Sequence, residues 1–209
     1  MKKKSSTEVW VTIGLAVFFL IFLSPIIIAL FGSFREMGDT SNYLHLFHAP
    51  SLESYKTAFG KMSYFRSLKN SILITVISVI LLLTFCSMAG YAIARLRGKL
   101  GSFLQIFFLA GMIVSAQMSI IPMYKVVNQV GIGNTIAAPI ALYVTAALPF
   151  SIFLYTNFIK SGVPYSLEEA ARIDGASIPF TFVRIVIPLT KPALSSLVIT
   201  QGVPIWNDF

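Results

Sequence analysis

From Val9 to Phe31 the sequence passes roughly 23 positions without a charged side chain. As a helix rising 1.5 Å per residue, that run spans about 34 Å, enough to cross a hydrocarbon core of about 30 Å. Three more stretches read the same way, Asn70 to Ala94, Phe103 to Val127 and Ile136 to Phe158, and Ala193 to Phe209 begins a fifth. Inside hydrocarbon no water meets a free backbone N–H or C=O, so such runs must close their hydrogen bonds internally as helices. The fold class that follows is an all-α polytopic membrane protein. Composition agrees: charged residues make up 11% and mean hydropathy is +0.80, whereas a soluble domain carries about 25% charged residues. The single cysteine, Cys86, lies within an apolar run and excludes an internal disulfide framework.

The first run is too long for a signal-peptide core, and no small-x-small cleavage site follows it. Pro25 is a candidate kink. Asn70 to Ala94 ends in the small residues Ala89, Gly90, Ala92 and Ala94, which let helix backbones approach closely in lipid. Pro122 falls near the far end of the third span, and Pro139 and Pro149 are expected to interrupt the fourth. Aromatic residues at Tyr55, Phe59, Tyr64 and Phe65 predict an amphipathic segment lying on the membrane face.

The net charge of +8 would point to nucleic acid in a soluble protein. Here the basic residues gather at the ends of apolar runs, which points to membrane lipid and topology instead. The N-terminus carries Lys2, Lys3 and Lys4; the short loop after the second span carries Arg95, Arg97 and Lys99; the loop before the fifth carries Lys160, Arg172, Arg184 and Lys191. The positive-inside rule places these three in the cytoplasm, with the N-terminus inside. Ending at Trp206-Asn207-Asp208-Phe209 with no return helix, the chain is expected to lack at least one further span.

Ser166 to Pro188 is the richest polar stretch on that side. Ser166 followed by Glu169 reads as a capping box after Pro164, and Gly175 as a helix stop. A two-turn helix over about Leu167 to Asp174 is marginal alone and needs something to dock against. Leu167, Ala170 and Ala171 form a small apolar stripe, with Glu168 and Arg172 as an i, i+4 pair on another side. The stripe either enters a groove on a partner or packs on the chain's own spans; the residues leave both open. A second helix over Ile178 to Ile187, with Thr181 and Arg184 toward water, is broken by Pro188 and Pro192. The pair reads as a rigid elbow from the docking helix to the fifth span.

Glu169-Ala170-Ala171, three residues, Gly175, nine residues, then Ile185-Val186-Ile187-Pro188 resembles the EAA loop of ABC importer permeases, EAA-x3-G-x9-I-x-L-P, with Ile187 where Leu is usual. Glu168 to Ser177, the downstream Trp206 to Phe209, Asn70-Ser71 and Tyr91 to Arg95 are similar to the carbohydrate-uptake branch, its maltose-type second permease subunit. The resemblance covers about residues 66 to 209. It implies a type I ABC importer permease fold of six helices, five of them present here. It divides the chain into an N-terminal span and outer loop (1–65), a transmembrane domain (66–209) and, within that, the coupling loop (160–192). It also implies a second homologous permease, two cytoplasmic ATPase subunits and an extracellular or periplasmic solute-binding protein, in a bacterial plasma membrane. Glu168, Glu169, Ala170, Ala171, Asp174 and Gly175 would form the ATPase-coupling site. ATP would be used by the partner subunits, with no cofactor bound by this chain.

No catalytic constellation competes with this reading. Neither Gly60-Lys61 nor Gly98-Lys99 has the register of a phosphate-binding loop. His45 and His48 sit in an outer loop without a well-placed third ligand, which disfavours both a metal site and a Ser/His/Asp arrangement. The expected function is a permease subunit that moves a sugar or oligosaccharide and is not an enzyme. The alternative is an ion-coupled secondary carrier acting alone; the clear interior of the first four spans holds no ionisable residue, which counts against it. Candidates for the solute path are Gln117, Tyr124, Tyr143 and Asn207, with Asp208 and Trp206 weaker; interhelical bonding is the competing role for each.

Overall fold

The computed structural model describes residues 6–34, 51–61, 63–96, 98–114 and 116–208. His45, His48 and Phe209 lie outside them. The described residues form helices and no strand. The chain divides into two compact units, Met1–Arg66 and Ser67–Phe209.

In the first unit, α1 (Ser6–Ser33) carries Pro25 in its interior. Its outward residues from Trp10 onward are almost all apolar and exposed, the signature of a helix whose solvent is lipid. Ser33 Oγ and Tyr55 OH share a 2.6 Å hydrogen bond. Tyr55 belongs to α2 (Glu53–Lys61), the short amphipathic segment expected there.

The second unit holds the remaining helices: α3 (Tyr64–Arg95, which begins in the first unit), α4 (Lys99–Gly111), α5 (Ala116–Gln129), α6 (Ala137–Gly162), α7 (Tyr165–Ile173), α8 (Ile178–Leu189) and α9 (Lys191–Asn207). Helices α1, α3 and α6 are each long and apolar enough to cross a bilayer, and α8 with α9 passes together as a pair bent by 71°.

Two expectations about the spans are corrected. The third span is not one helix: α4 ends at Gly111, and the Met112 and Ile113 N–H groups bond back to Leu109 and Ala110, a tightened terminal turn. Gly111 is a weak helix former, and a Cβ there would meet the Pro149 ring at 3.3 Å. The fourth span is not interrupted: α6 runs unbroken through Pro149. Pro139 falls in its first turn, where the missing N–H would have no intrahelical partner anyway.

Helix α6 is the centre of the unit, packing on α4, α5 and α9. The main core joins Cys86 and Ile93 of α3, Ile152, Tyr155 and Ile159 of α6, Val186 of α8, and Ala193 and Leu197 of α9. Close approach of α3 to α6 depends on Gly90: a Cβ there would stand 2.9 Å from Tyr155 Cδ1 and 3.3 Å from the Thr156 backbone nitrogen. Polar side chains tie α4 to α6 as well. Gln105 Nε2 donates to Asn157 Oδ1 at 2.7 Å, and Lys160 Nζ donates to Gln105 Oε1 at 2.6 Å.

Candidate functional site: the α7–α8 elbow

Helix α7 begins earlier than the sequence predicts. Pro164 is its N-cap residue and no side chain caps it, so the Ser166–Glu169 capping box is not formed. Pro164 supplies a fixed φ of −58° at the entry, and Ser166 is already inside the first turn. The stop is as expected. Gly175 has φ +83°, the left-handed region that a Cβ disfavours. Ala176 N–H bonds to Ala171 O at 2.8 Å and Gly175 N–H to Arg172 O at 3.0 Å, the paired bonds of a Schellman ending.

Glu168 departs most from expectation. It does not pair with Arg172 on an outer face; it is 1% exposed. Its Oε1 accepts from Arg95 Nε at 2.8 Å and lies 2.6 Å from Arg95 Nη2, while its Oε2 accepts from Tyr91 OH at 2.8 Å. A carboxylate is buried only when paired and hydrogen-bonded, and here both oxygens are used. Arg95 also donates from Nη2 to Val163 O at 3.0 Å and lies 5.7 Å from the Tyr165 ring centre. Arg172 instead reaches Tyr165 OH, at 3.5 Å. In the sequence, Tyr91 to Arg95 mark a helix end, a basic loop and part of the resemblance, but no tie to Glu168. Their i, i+4 spacing, which puts a phenol and a guanidinium on one face, was the signal available.

The other face of α7 is open. Ala171 is buried, whereas Leu167, Glu169, Ala170 and Asp174 are exposed, and Ile173 is 86% exposed. Of the six expected coupling residues, then, Glu169, Ala170, Asp174 and Gly175 reach solvent and Glu168 and Ala171 face inward. A shallow groove at the turn is lined by Ala171, Asp174, Gly175, Ala176, Ser177 and Phe180, among others.

Helix α8 is capped at its N-terminus by Ser177, whose Oγ accepts from Phe180 N–H at 3.4 Å. Its middle, Phe182–Val186, is a π-helical segment in which Ile187 N–H reaches Phe182 O. Arg184 is exposed as expected, but Thr181 is not toward water; it is 3% exposed. The chain then turns into α9 at Thr190. The Thr190 hydroxyl shares a 2.7 Å hydrogen bond with Tyr155 OH and also lies 3.0 Å from Val186 O and 3.2 Å from Ile187 O. The Thr190 N–H bonds the same two carbonyls, at 3.0 and 3.2 Å, so amide and hydroxyl together close the last turn of α8.

Two of the solute-path candidates meet. Tyr143 OH donates to Asp208 Oδ2, joining α6 to the end of α9. Asn207 and Tyr124 are exposed, Tyr124 on α5. Gln117 falls on α5, but its side chain lies outside the described residues. No group of three or more His, Cys, Asp or Glu capable of holding a metal occurs among the described residues.

Known proteins match this architecture. A family model described as the binding-protein-dependent transport system inner membrane component matches residues 86–209. The multiple sugar-binding transport system permease protein of Streptococcus mutans is 35% identical over 215 residues, covering 100% of this chain and 76% of that protein. The melibiose/raffinose/stachyose import permease protein of Bacillus subtilis is 36% identical over 185 residues, covering 88% of this chain and 67% of that protein. A chain in the crystal structure of a bacterial ABC transporter involved in the import of the acidic polysaccharide alginate superimposes with a TM-score of 0.83. That match is 24% identical and covers 99% of this chain and 74% of the other. The importer fold expected from the resemblance is the fold observed.

Proposed function

We propose, from the premise that this chain belongs to the family of binding-protein-dependent transport system inner membrane components, that it carries a sugar or oligosaccharide across the membrane and is driven through α7 by a separate ATPase. Membership makes it a multi-pass transport subunit of an ABC importer, not an enzyme. The ion-coupled carrier alternative is not favoured by any relative found. Relatives named for multiple sugars and for melibiose, raffinose and stachyose support the sugar class. ATP binding and hydrolysis are assigned to the partner subunits, of which the resemblance implies two, beside a second permease and a solute-binding protein.

One observation carries the docking role. Ile173 stands 86% exposed at the end of a two-turn helix whose opposite side is pinned through Glu168. A helix this short does not hold itself together in water, and Leu167 and Ala170 are exposed on the same helix as Ile173, so the apolar surface there is a patch, which marks a contact site. Leu167, Ala170 and Ile173 lie three residues apart, the spacing at which a helix enters a groove. Glu169→Lys places a cation on that face, and Gly175→Pro forces φ +83° toward about −65° and deletes the N–H to Arg172. Both variants are expected to reach the membrane at normal abundance while sugar uptake per ATP hydrolysed falls about tenfold or more, a loss of about 1.4 kcal/mol in coupling. Normal uptake in vesicles bearing either variant in the complete transporter would sink the assignment.

A further inference from the structure

We propose that Arg95 and Tyr91 are positioning residues that pass the displacement of α7 to α3 through Glu168, so that α3 moves with α7. The inference rests on the reading of α7 as the docking helix and adds the route out of it. The covalent route from α7 to α9 is discontinuous. It passes Gly175, around which no side chain would meet a Cβ within 4 Å, then the π-helical segment Phe182–Val186, then the 71° bend before α9. A push along that path is absorbed at three soft points. Helix α3 has none of these; it is one unbroken helix from Tyr64 to Arg95.

The last turns of α3 grip the elbow on several sides. Arg95 and Tyr91 hold both oxygens of Glu168. Arg95 also holds Val163 O, just ahead of α7, and lies over Tyr165 in its first turn. The Tyr91 ring packs on Phe182 of α8, with centroids 5.0 Å apart. The contact is dry at its centre: the Glu168 side chain is 1% exposed and that of Arg95 16%. A buried charge pair with both partners hydrogen-bonded resists sliding, because any slip leaves a charge unpaired in a low dielectric. Displacement of α7 therefore carries the end of α3 with it.

The test uses the whole transporter in liposomes, with an environment-sensitive fluorophore on this chain only, in a Cys86→Ala background. One reporter is Ser166→Cys, exposed on α7 away from the residues assigned to docking; the other is Ser67→Cys, exposed near the opposite end of α3. ATP with vanadate is the probe. With the native clamp, both reporters are expected to shift. With Arg95→Gln, the Ser166 reporter still shifts and the Ser67 shift is lost. A merely structural role for Arg95 would lower abundance without separating the two signals. Should Arg95→Gln not assemble, Tyr91→Phe removes one hydroxyl, keeps the ring on Phe182, and is expected to reduce the Ser67 shift. A Ser67 shift that persists in these variants, or one absent with the native clamp while Ser166 responds, overturns the proposal. An unresponsive Ser166 reporter with the native clamp overturns the docking reading itself, and the route with it.

Discussion

At Gly90 a single hydrogen atom decides how closely two spans meet. An added Cβ would come within 2.9 Å of the Tyr155 ring. That ring cannot swing aside freely, because its hydroxyl is held by Thr190 at 2.7 Å; the Thr156 nitrogen, 3.3 Å away, is backbone. Gly90→Ala should gain about 1 kcal/mol of helix propensity in α3 and lose about 1–3 kcal/mol to overpacking against α6. The expected net effect is a lower melting temperature for the purified protein in detergent. A melting temperature equal to or above the native value would mean that α3 and α6 can separate at no cost. The same logic explains why the run of small residues ending the second span was legible in the sequence, whereas the partner atoms were not. Glycine announces an approach but does not name what approaches.

At the scale of elements, α8 and α9 meet at a bend of 71° with a buried hydroxyl at its centre. Thr190 bonds to Tyr155 and to the carbonyls of Val186 and Ile187. Thr190→Val keeps the shape and removes the hydroxyl. It leaves the buried Tyr155 phenol without this partner, at a cost of about 1–3 kcal/mol. Thr190→Ser keeps the bonds and should behave nearly as the native protein. Thermal unfolding of the two variants checks this: equal melting temperatures would remove the hydroxyl from the account of the bend. The existence of these helices was readable, because apolar length and the Pro188 and Pro192 pair are local signals. The break of the third span was not, since residues on both sides of Gly111 are equally apolar and hydropathy does not register a change of direction. Nor was the partner of Glu168, which lies 73 residues away in sequence. An i, i+4 pairing rule sees Arg172 and stops there. Burial reversed that reading: once Glu168 is out of water its charge must be compensated where it lies, and Arg95 and Tyr91 are the groups that do so.

For the molecule as a whole, the remaining question is which way it sits in the membrane, and the charge pattern answers it in a testable form. Helix α6 crosses once, from Ala137 to Gly162. Between the end of α4 and the start of α6 the basic residue is Lys125, on α5, whereas Lys160, Arg172, Arg184 and Lys191 lie at and beyond the other end of α6. Basic residues in short loops are retained on the cytoplasmic side, so α7, α8 and the clamp at the end of α3 should all face the cytoplasm, where ATP is. Thr135 and Ser161 are exposed at the two ends of α6 and report its direction. In right-side-out vesicles, Thr135→Cys should react with a membrane-impermeant maleimide added outside. Ser161→Cys should react only after the vesicles are opened. The opposite pattern would put α7 on the face away from ATP. No displacement of Ile173 by an ATPase could then occur, however well its surface fitted a groove. The labelling result is therefore a precondition for the coupling role, independent of any measurement of transport.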